Sequence, residues 1–233
     1  VNPTLRKILL NPQKGLVKNG LVREFRFDDV GQVLTDHSVY GMHGQAGNSA
    51  GVDAQDPVSV SFGWEFGNDD YVDCGNDSSL NLDKFYIETV ITIDPTSPTG
   101  YIFAKNSLGI TDIQYGLYWS TVKNISAYIN GQQVGATASN VALPGTPIHI
   151  GLLYDKANVS YFINNILLLR VAKTDTITSA AYDLVIGKRN PNNVFIKGIY
   201  HWLNLYNIDL TNTERTKNYN YLKQKLLSRG ITL

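Results

Sequence analysis

The chain reads as an all-β protein: a two-sheet antiparallel sandwich closed by one C-terminal helix. Short apolar runs with two-residue alternation recur along its 233 residues, and nearly every gap between them holds Gly, Pro, Asn or Asp. Helical periodicity is confined to the segment after residue 210, so strands follow strands instead of alternating with helices. With 43% hydrophobic and 17% charged residues, the chain can bury a sizeable core as a single domain.

Residues 1–19 carry Pro3, Pro12 and Gly15 among polar residues and read as an arm or linker, with Leu9 and Leu10 free to dock; the domain is expected over 20–233. The chain opens Val1-Asn2-Pro3-Thr4 without methionine, which predicts a processed chain or a piece of a longer one. Strand-like runs follow at 21–27, 58–66, 70–74, 85–93, 101–105, 115–120, 125–129, 148–154, 159–163, 166–172, 183–186 and 198–206. Between the first two, residues 36–57 lack either period and read as a long surface loop. In 85–93, Phe85, Ile87, Thr89, Ile91 and Ile93 share the core face, while Tyr86, Glu88, Val90 and Thr92 point the other way. Asn164-Asn165, flanked by apolar residues, predicts a two-residue hairpin turn, because Asn tolerates the positive φ such a turn demands. Thr211 with Glu214 makes a capping box opening a helix over 211–229, with Arg215, Tyr219, Leu222 and Leu226 on one face.

Composition excludes several functions. Lysine plus arginine equal aspartate plus glutamate at 20 each, so no long-range positive field gathers nucleic acid or an anionic membrane. The longest apolar run, 166–169, is far short of the roughly 20 residues of a membrane span. Cys74 is the one cysteine, so no intrachain disulfide forms and packing alone must hold the fold. Sequons at Asn76, Asn124 and Asn158 are no more than chance predicts.

Six segments occur in order: 20–28 (Gly-Leu-Val-Arg-Glu-Phe-Arg-Phe-Asp); 36–44 (Asp-His-Ser-Val-Tyr-Gly-Met-His-Gly); 64–72 (Trp-Glu-Phe-Gly-Asn-Asp-Asp-Tyr-Val) with 80–82; 161–165 (Tyr-Phe-Ile-Asn-Asn); 186–187; and the closing 197–207. Together they resemble the laminin-G-like, concanavalin-A-like jelly-roll family, and specifically its bacterial and phage branch, 36–44 being similar to its Asp-x-Ser-Gly-x-x-x-His-Gly and 161–165 to its Tyr-Val-Asn-Gly. The resemblance implies a jelly-roll sandwich and a virion or extracellular setting. Segments 11–15 and 218–231 look like those of phage structural proteins.

Catalysis finds little support. The glucanase array Glu-x-Asp-x-x-Glu is absent, and Glu88 and Asp94, the nearest candidates, lie about 20 Å apart along an ideal strand. Glu88 is expected to be a solvated strand residue. His37, His43, His149 and His201 lack metal-site spacing, and Cys74 has no histidine beside it in sequence. The protein is therefore read as a non-enzyme. Calcium is the cofactor the resemblance implies: Asp36 would be the carried-over ligand, with carbonyls near Gly41 and Gly44 assisting, although His201 stands where the family places an acid. The competing reading is that Asp36 caps a turn through its own backbone.

For ligand binding, alternation puts Tyr115, Leu117 and Trp119 on the core side and Tyr118 on the other, where Tyr128 of the next strand joins it. Tyr118 and Tyr128 are the candidate binding platform on the outer sheet face, since flat aromatic rings stack on sugars. They would otherwise simply cover the sheet or meet another subunit in a homo-oligomer. Trp64 and Trp202 sit in apolar strand patterns and read as core. The expected function is attachment, as a phage virion component contacting a glycan or a neighbouring virion or cell-surface protein. An accessory carbohydrate-binding module of a secreted bacterial glycoside hydrolase is the alternative.

Overall fold

The computed structural model describes residues 15–106, 113–189 and 194–233; Leu9 and Leu10 and most of the expected arm lie outside them. Among the described residues two eight-stranded antiparallel sheets stack face to face. The first contains β1 (Leu21–Phe25), β4 (Val58–Val60), β5 (Gly63–Phe66), β7 (Phe85–Ile93), β12 (Pro147–Tyr154), β13 (Asn158–Ile163), β14 (Ile166–Ala172) and β18 (Gly198–Tyr206). Its order is β14-β13-β12-β7-β18-β5-β4, and β18 is long enough to serve two strands along one edge: Gly198 to Tyr200 pair with β5, and Leu203 to Tyr206 pair with β1. The second sheet runs β11-β10-β9-β8-β15-β6-β3-β2. Its strands are β2 (Val33–Leu34), β3 (Gly44–Ala46), β6 (Val72–Asp73), β8 (Gly100–Asn106), β9 (Ile113–Trp119), β10 (Ile125–Ile129), β11 (Gln132–Val134) and β15 (Asp183–Ile186). The expected loop 36–57 is thus interrupted by β3, whose three residues are too few to show a period.

The inner faces make one continuous core. Phe85, Ile87, Ile91 and Ile93 of the first sheet meet Tyr115, Leu117 and Trp119 of the second, as their alternation requires. Rings of Phe27, Trp64, Phe66 and Tyr200 pack at centroid separations of 4.4 to 6.4 Å. Asn164 and Asn165 take φ of 49° and 64°, the left-handed pair a two-residue turn needs between right-twisted strands.

A third layer covers the outer face of the first sheet. The helix α1 (Asn212–Leu227) starts at the Thr211 and Glu214 capping box and lays Leu222 and Leu226 on Val90 and Trp202, with Leu16 beside them. Residues 16 and 17, placed in the arm by composition, are packed here, and the Val17 N–H donates to Asn218 Oδ1 at 2.9 Å. Trp202 is buried as expected, but beneath the helix and not between the sheets.

Glu88 corrects the reading from alternation. It is 0% exposed, because the face opposite the core lies under α1. Its Oε1 accepts from Asn204 Nδ2 (2.9 Å) and Asn218 Nδ2 (2.8 Å), and its Oε2 lies 3.1 Å from His149 Nε2 and accepts from the Tyr86 hydroxyl at 3.4 Å. A buried polar group is tolerated when its hydrogen bonds are made, and these join β7, β12, β18 and α1 at one point.

A second buried polar residue gives a pH signature. The β8 strand bulges between Tyr101 and Phe103 and again between Lys105 and Asn106. Lys105 is 0% exposed, with Nζ donating to the carbonyls of Ala180 and Tyr182. Burial lowers its pKa to about 8, only partly opposed by the charge of Asp183. Between about 8 and the ordinary lysine value near 10.5 the unfolded chain holds a proton that the native chain has shed, so this residue's contribution to stability rises with pH across that window. Urea unfolding at pH 7 and pH 9.5 should show the wild type gaining on Lys105→Met by about 1–2 kcal/mol. A constant difference between the two proteins would reject the assignment.

Candidate functional site

With α1 over the first sheet, the outer face of the second sheet is the large strand surface not covered by a helix among the described residues. On β9, Tyr115, Leu117 and Trp119 point inward, so Gly116 and Tyr118 face out; on β10, Ser126 and Tyr128 do the same. Register brings Tyr118 opposite Tyr101 on one side and Ser126 on the other, with Tyr128 on the diagonal beside Gly116. Three rings therefore form a triangle: Tyr101 to Tyr118 is 4.9 Å, Tyr101 to Tyr128 is 5.4 Å and Tyr118 to Tyr128 is 5.8 Å between centroids. Tyr118 and Tyr128 are half-buried, each offering part of its ring to solvent, whereas Tyr101 is buried at 2% exposure and backs them. The two tyrosines singled out by alternation are thus brought together; Tyr101 was not found, because the bulge after it breaks the parity count on β8.

One wall of this face is a hairpin, β16 (Lys188–Arg189) with β17 (Val194–Phe195), which folds back across β8. Val194 packs against the tyrosine cluster. Gly100 permits the approach: a Cβ on it would lie 2.0 Å from the Phe195 carbonyl oxygen and 2.4 Å from its carbon. Lys188 Nζ lies 4.3 Å from the Tyr71 ring centroid and 5.4 Å from that of Phe195, so a cation–aromatic contact ties the hairpin to the sheet. Toward the other edge Gln133 Nε2 donates to Ser126 Oγ at 2.9 Å.

The Tyr118 phenol is uncharged. Burial first, then the neighbouring Tyr128 phenol, push the Tyr118 hydroxyl above its ordinary value against an opposing hydrogen bond with Thr99, so it remains a neutral donor and acceptor. The face offers partly exposed rings ringed by hydroxyl and amide groups, which suits stacking with a neutral polar ligand.

The model of the family described as "Concanavalin A-like lectin/glucanases superfamily" matches residues 66–214, more than half of the chain. The chain belongs to this superfamily. No curated protein sequence matches it. Among solved structures, this superfamily member is similar to a Trypanosoma rangeli sialidase in complex with sialic acid, at 17% identity and a TM-score of 0.66, over 89% of this chain and 33% of that one. It is also similar to domain 4 of AbnA, a GH43 extracellular arabinanase from Geobacillus stearothermophilus in complex with arabinotriose, at 14% identity and TM-score 0.63, over 87% of this chain and 100% of that one. A third is the binding domain of Paraclostridial Mosquitocidal Protein 1, at 12% identity and TM-score 0.63, over 87% and 52%. The chain spans about a third of the sialidase's length, and at these identities the likenesses speak to fold alone.

Other candidate chemistry in this concanavalin A-like domain lies elsewhere. Asp36 is 4% exposed, and both its oxygens are engaged: Oδ1 accepts from the N–H groups of Glu24 and Ser38, and Oδ2 from the Met42 N–H and the Ser38 hydroxyl, all within 2.8–3.0 Å. That is the turn-capping role, extended into bracing loop 36–42, and it does not fit a calcium ligand, whose oxygens must point at the ion. Ligand atoms of Asp28, Asp29 and His37 lie within 4.8 Å of one another. Asp28 pairs with Arg229, and Asp29 accepts the Thr35 N–H and hydroxyl, so both carboxyls have structural partners. Cys74 is buried, and desolvation holds its thiol well above the ordinary range, the opposite of a reactive thiolate. His201 Nδ1 donates to the Phe62 carbonyl (2.6 Å) and its Nε2 lies 2.8 Å from Thr92 Oγ1, pinning the bulge of β18.

Proposed function

We propose that this is a non-catalytic binding domain that holds a neutral glycan on the outer face of the second sheet, with Tyr118 and Tyr128 stacking on sugar rings. The observation that carries the reading is the triangle of Tyr101, Tyr118 and Tyr128, half-open on a sheet whose counterpart is roofed by a helix. The superfamily's lectin and glucanase membership and the likeness to an arabinanase domain complexed with arabinotriose support a sugar as ligand. Glu88, the carboxyl closest to a catalytic position in sequence, is shut beneath α1, which supports attachment over hydrolysis.

An accessory module that tethers a larger secreted enzyme suits the chain best, since it covers all of the arabinanase domain. A virion attachment domain, the setting implied by the sequence resemblance, would use the same face. Glycan-array binding of the wild type beside Tyr118→Ala and Tyr128→Ala tests the site. Each variant should lose about tenfold in affinity for a neutral oligosaccharide while remaining folded, with a melting temperature lowered by the lost ring contacts. Unchanged binding in both would move the site elsewhere.

A further inference from the structure

The edge strand β14 is built unlike the other edges of the sandwich. β2, β4 and β11, which end the sheets elsewhere, are two or three residues long and offer few free backbone groups, and β1 is buried along its whole length. β14 runs seven residues, Ile166–Ala172, and among the described residues no strand pairs with its free edge. Ile166, Leu167 and Leu168 are 65%, 52% and 41% exposed in succession. A solitary domain blunts such an edge with charge or proline. Here 163–169 holds neither, and the charge of Arg170 is already drawn to Asp155, before β13, at 3.0 Å. Register sets Ile166 opposite Ile163 and Leu167 opposite Phe162, with Leu168 the extra residue of a bulge. That bulge faces β13 and leaves the other edge able to pair, just as β18 bulges against β7 yet pairs with β5 and β1. Ile163 also lines a cavity of about 190 Å³ with Leu143, Pro147 and Ile148, and Leu143 is exposed, so apolar surface continues from the start of β14 round the end of the sandwich.

What completes a free strand edge is another extended strand, since a polypeptide repeats main-chain donors and acceptors at the matching spacing. We propose that β14 is a homodimer interface, in which two copies of the chain pair β14 with β14, antiparallel, about a two-fold axis at Leu167. The patch itself selects this axis. With Leu167 facing its own copy, Ile166 meets Leu168 of the partner subunit and the three exposed aliphatic side chains cover one another. Arg170 then falls opposite Asn164 of the partner subunit, so no like charges meet. An axis at Leu169 would instead set Leu168 against the charge of Arg170. An edge of seven residues is about 23 Å long, which keeps the contact near the lower bound of specific interfaces, about 1,200 Å² in total. The dimer is accordingly a weak one, with a Kd of about 10–100 µM. Tyr118 and Tyr128 lie on the other sheet and stay uncovered, so the pair carries two copies of that face.

Sedimentation of the whole chain from about 5 to about 500 µM tests this, for the wild type, Leu167→Lys, Leu167→Glu, an equimolar mixture of those two, and Tyr118→Ala. The wild type should pass from monomer to dimer across the range. Leu167→Lys and Leu167→Glu, each of which sets like charges face to face at the axis, should weaken the dimer at least about tenfold, and their mixture should recover it. Tyr118→Ala should associate as the wild type does. A wild type that stays monomeric at about 500 µM overturns the proposal, as do folded charge variants that dimerise unimpaired or a mixture that recovers nothing. Association lost in Tyr118→Ala but kept in Leu167→Lys would overturn it too, by moving the interface to the second sheet. If the charge variants do not fold, hydrogen exchange in the wild type decides: amides of β14 that slow as concentration rises support the interface, and unchanged rates reject it.

Discussion

Glu88→Ala is expected to lower the stability of the domain by about 3–5 kcal/mol, among the largest effects of any single substitution outside the aromatic core. The carboxyl is the meeting point of Asn204, Asn218, His149 and Tyr86, all buried, and its removal leaves two amide N–H groups and an imidazole without partners. His149 Nδ1 already lacks a partner, so the imidazole has no second anchor except its edge contact with Tyr219 at 5.2 Å. Glu88→Gln, which keeps the shape and one acceptor, should lose only about 1–2 kcal/mol. Urea denaturation of the two variants separates these values. If alanine and glutamine behave alike, the hydrogen bonds do not hold α1 to the sheet.

Gly100→Val is expected to destabilise by about 2–3 kcal/mol and to loosen the β16–β17 hairpin in particular. The clash is with the carbonyl group of Phe195, which is backbone on both sides and cannot rotate away as a side chain would. The hairpin would lift from β8, carrying Val194 away from the tyrosine triangle and Lys188 from Tyr71. Hydrogen exchange should therefore quicken at Phe195 and Ile196 before it quickens in β7 or β12. Uniform acceleration across both sheets would show that the hairpin is not a separable wall of the site.

Much of this architecture is written in local pattern. Two-residue alternation places Phe85 to Ile93 and Tyr115 to Trp119 on their correct inner faces, Asn164 and Asn165 declare their hairpin, and Thr211 with Glu214 marks where α1 begins. Alternation says which side a residue takes, not what lies above that side. Glu88 was misread for this reason, since the helix that buries it is more than a hundred residues away. Bulges hide residues in another way: the extra residue in β8 shifts the count, so Tyr101 escapes notice and Lys105 turns inward. Val33–Leu34, Gly44–Ala46 and Gln132–Val134 are too short to show a repeat, and only pairing with neighbours makes them strands. Arg23 carries no sequence signal at all, because its partners Asp36 and Asp77 meet it only in three dimensions.

The central claim is that the outer face of the second sheet binds the ligand where Tyr118 and Tyr128 are partly exposed. Titrating isotope-labelled protein with the tightest oligosaccharide from the array, and mapping backbone shifts by NMR, asks this of every residue at once. Perturbations should concentrate on Tyr101, Gly116, Tyr118, Ser126 and Tyr128, and should leave α1 and β7 still. Shifts clustered instead on loop 36–42 or along α1, with the tyrosines silent, would contradict it.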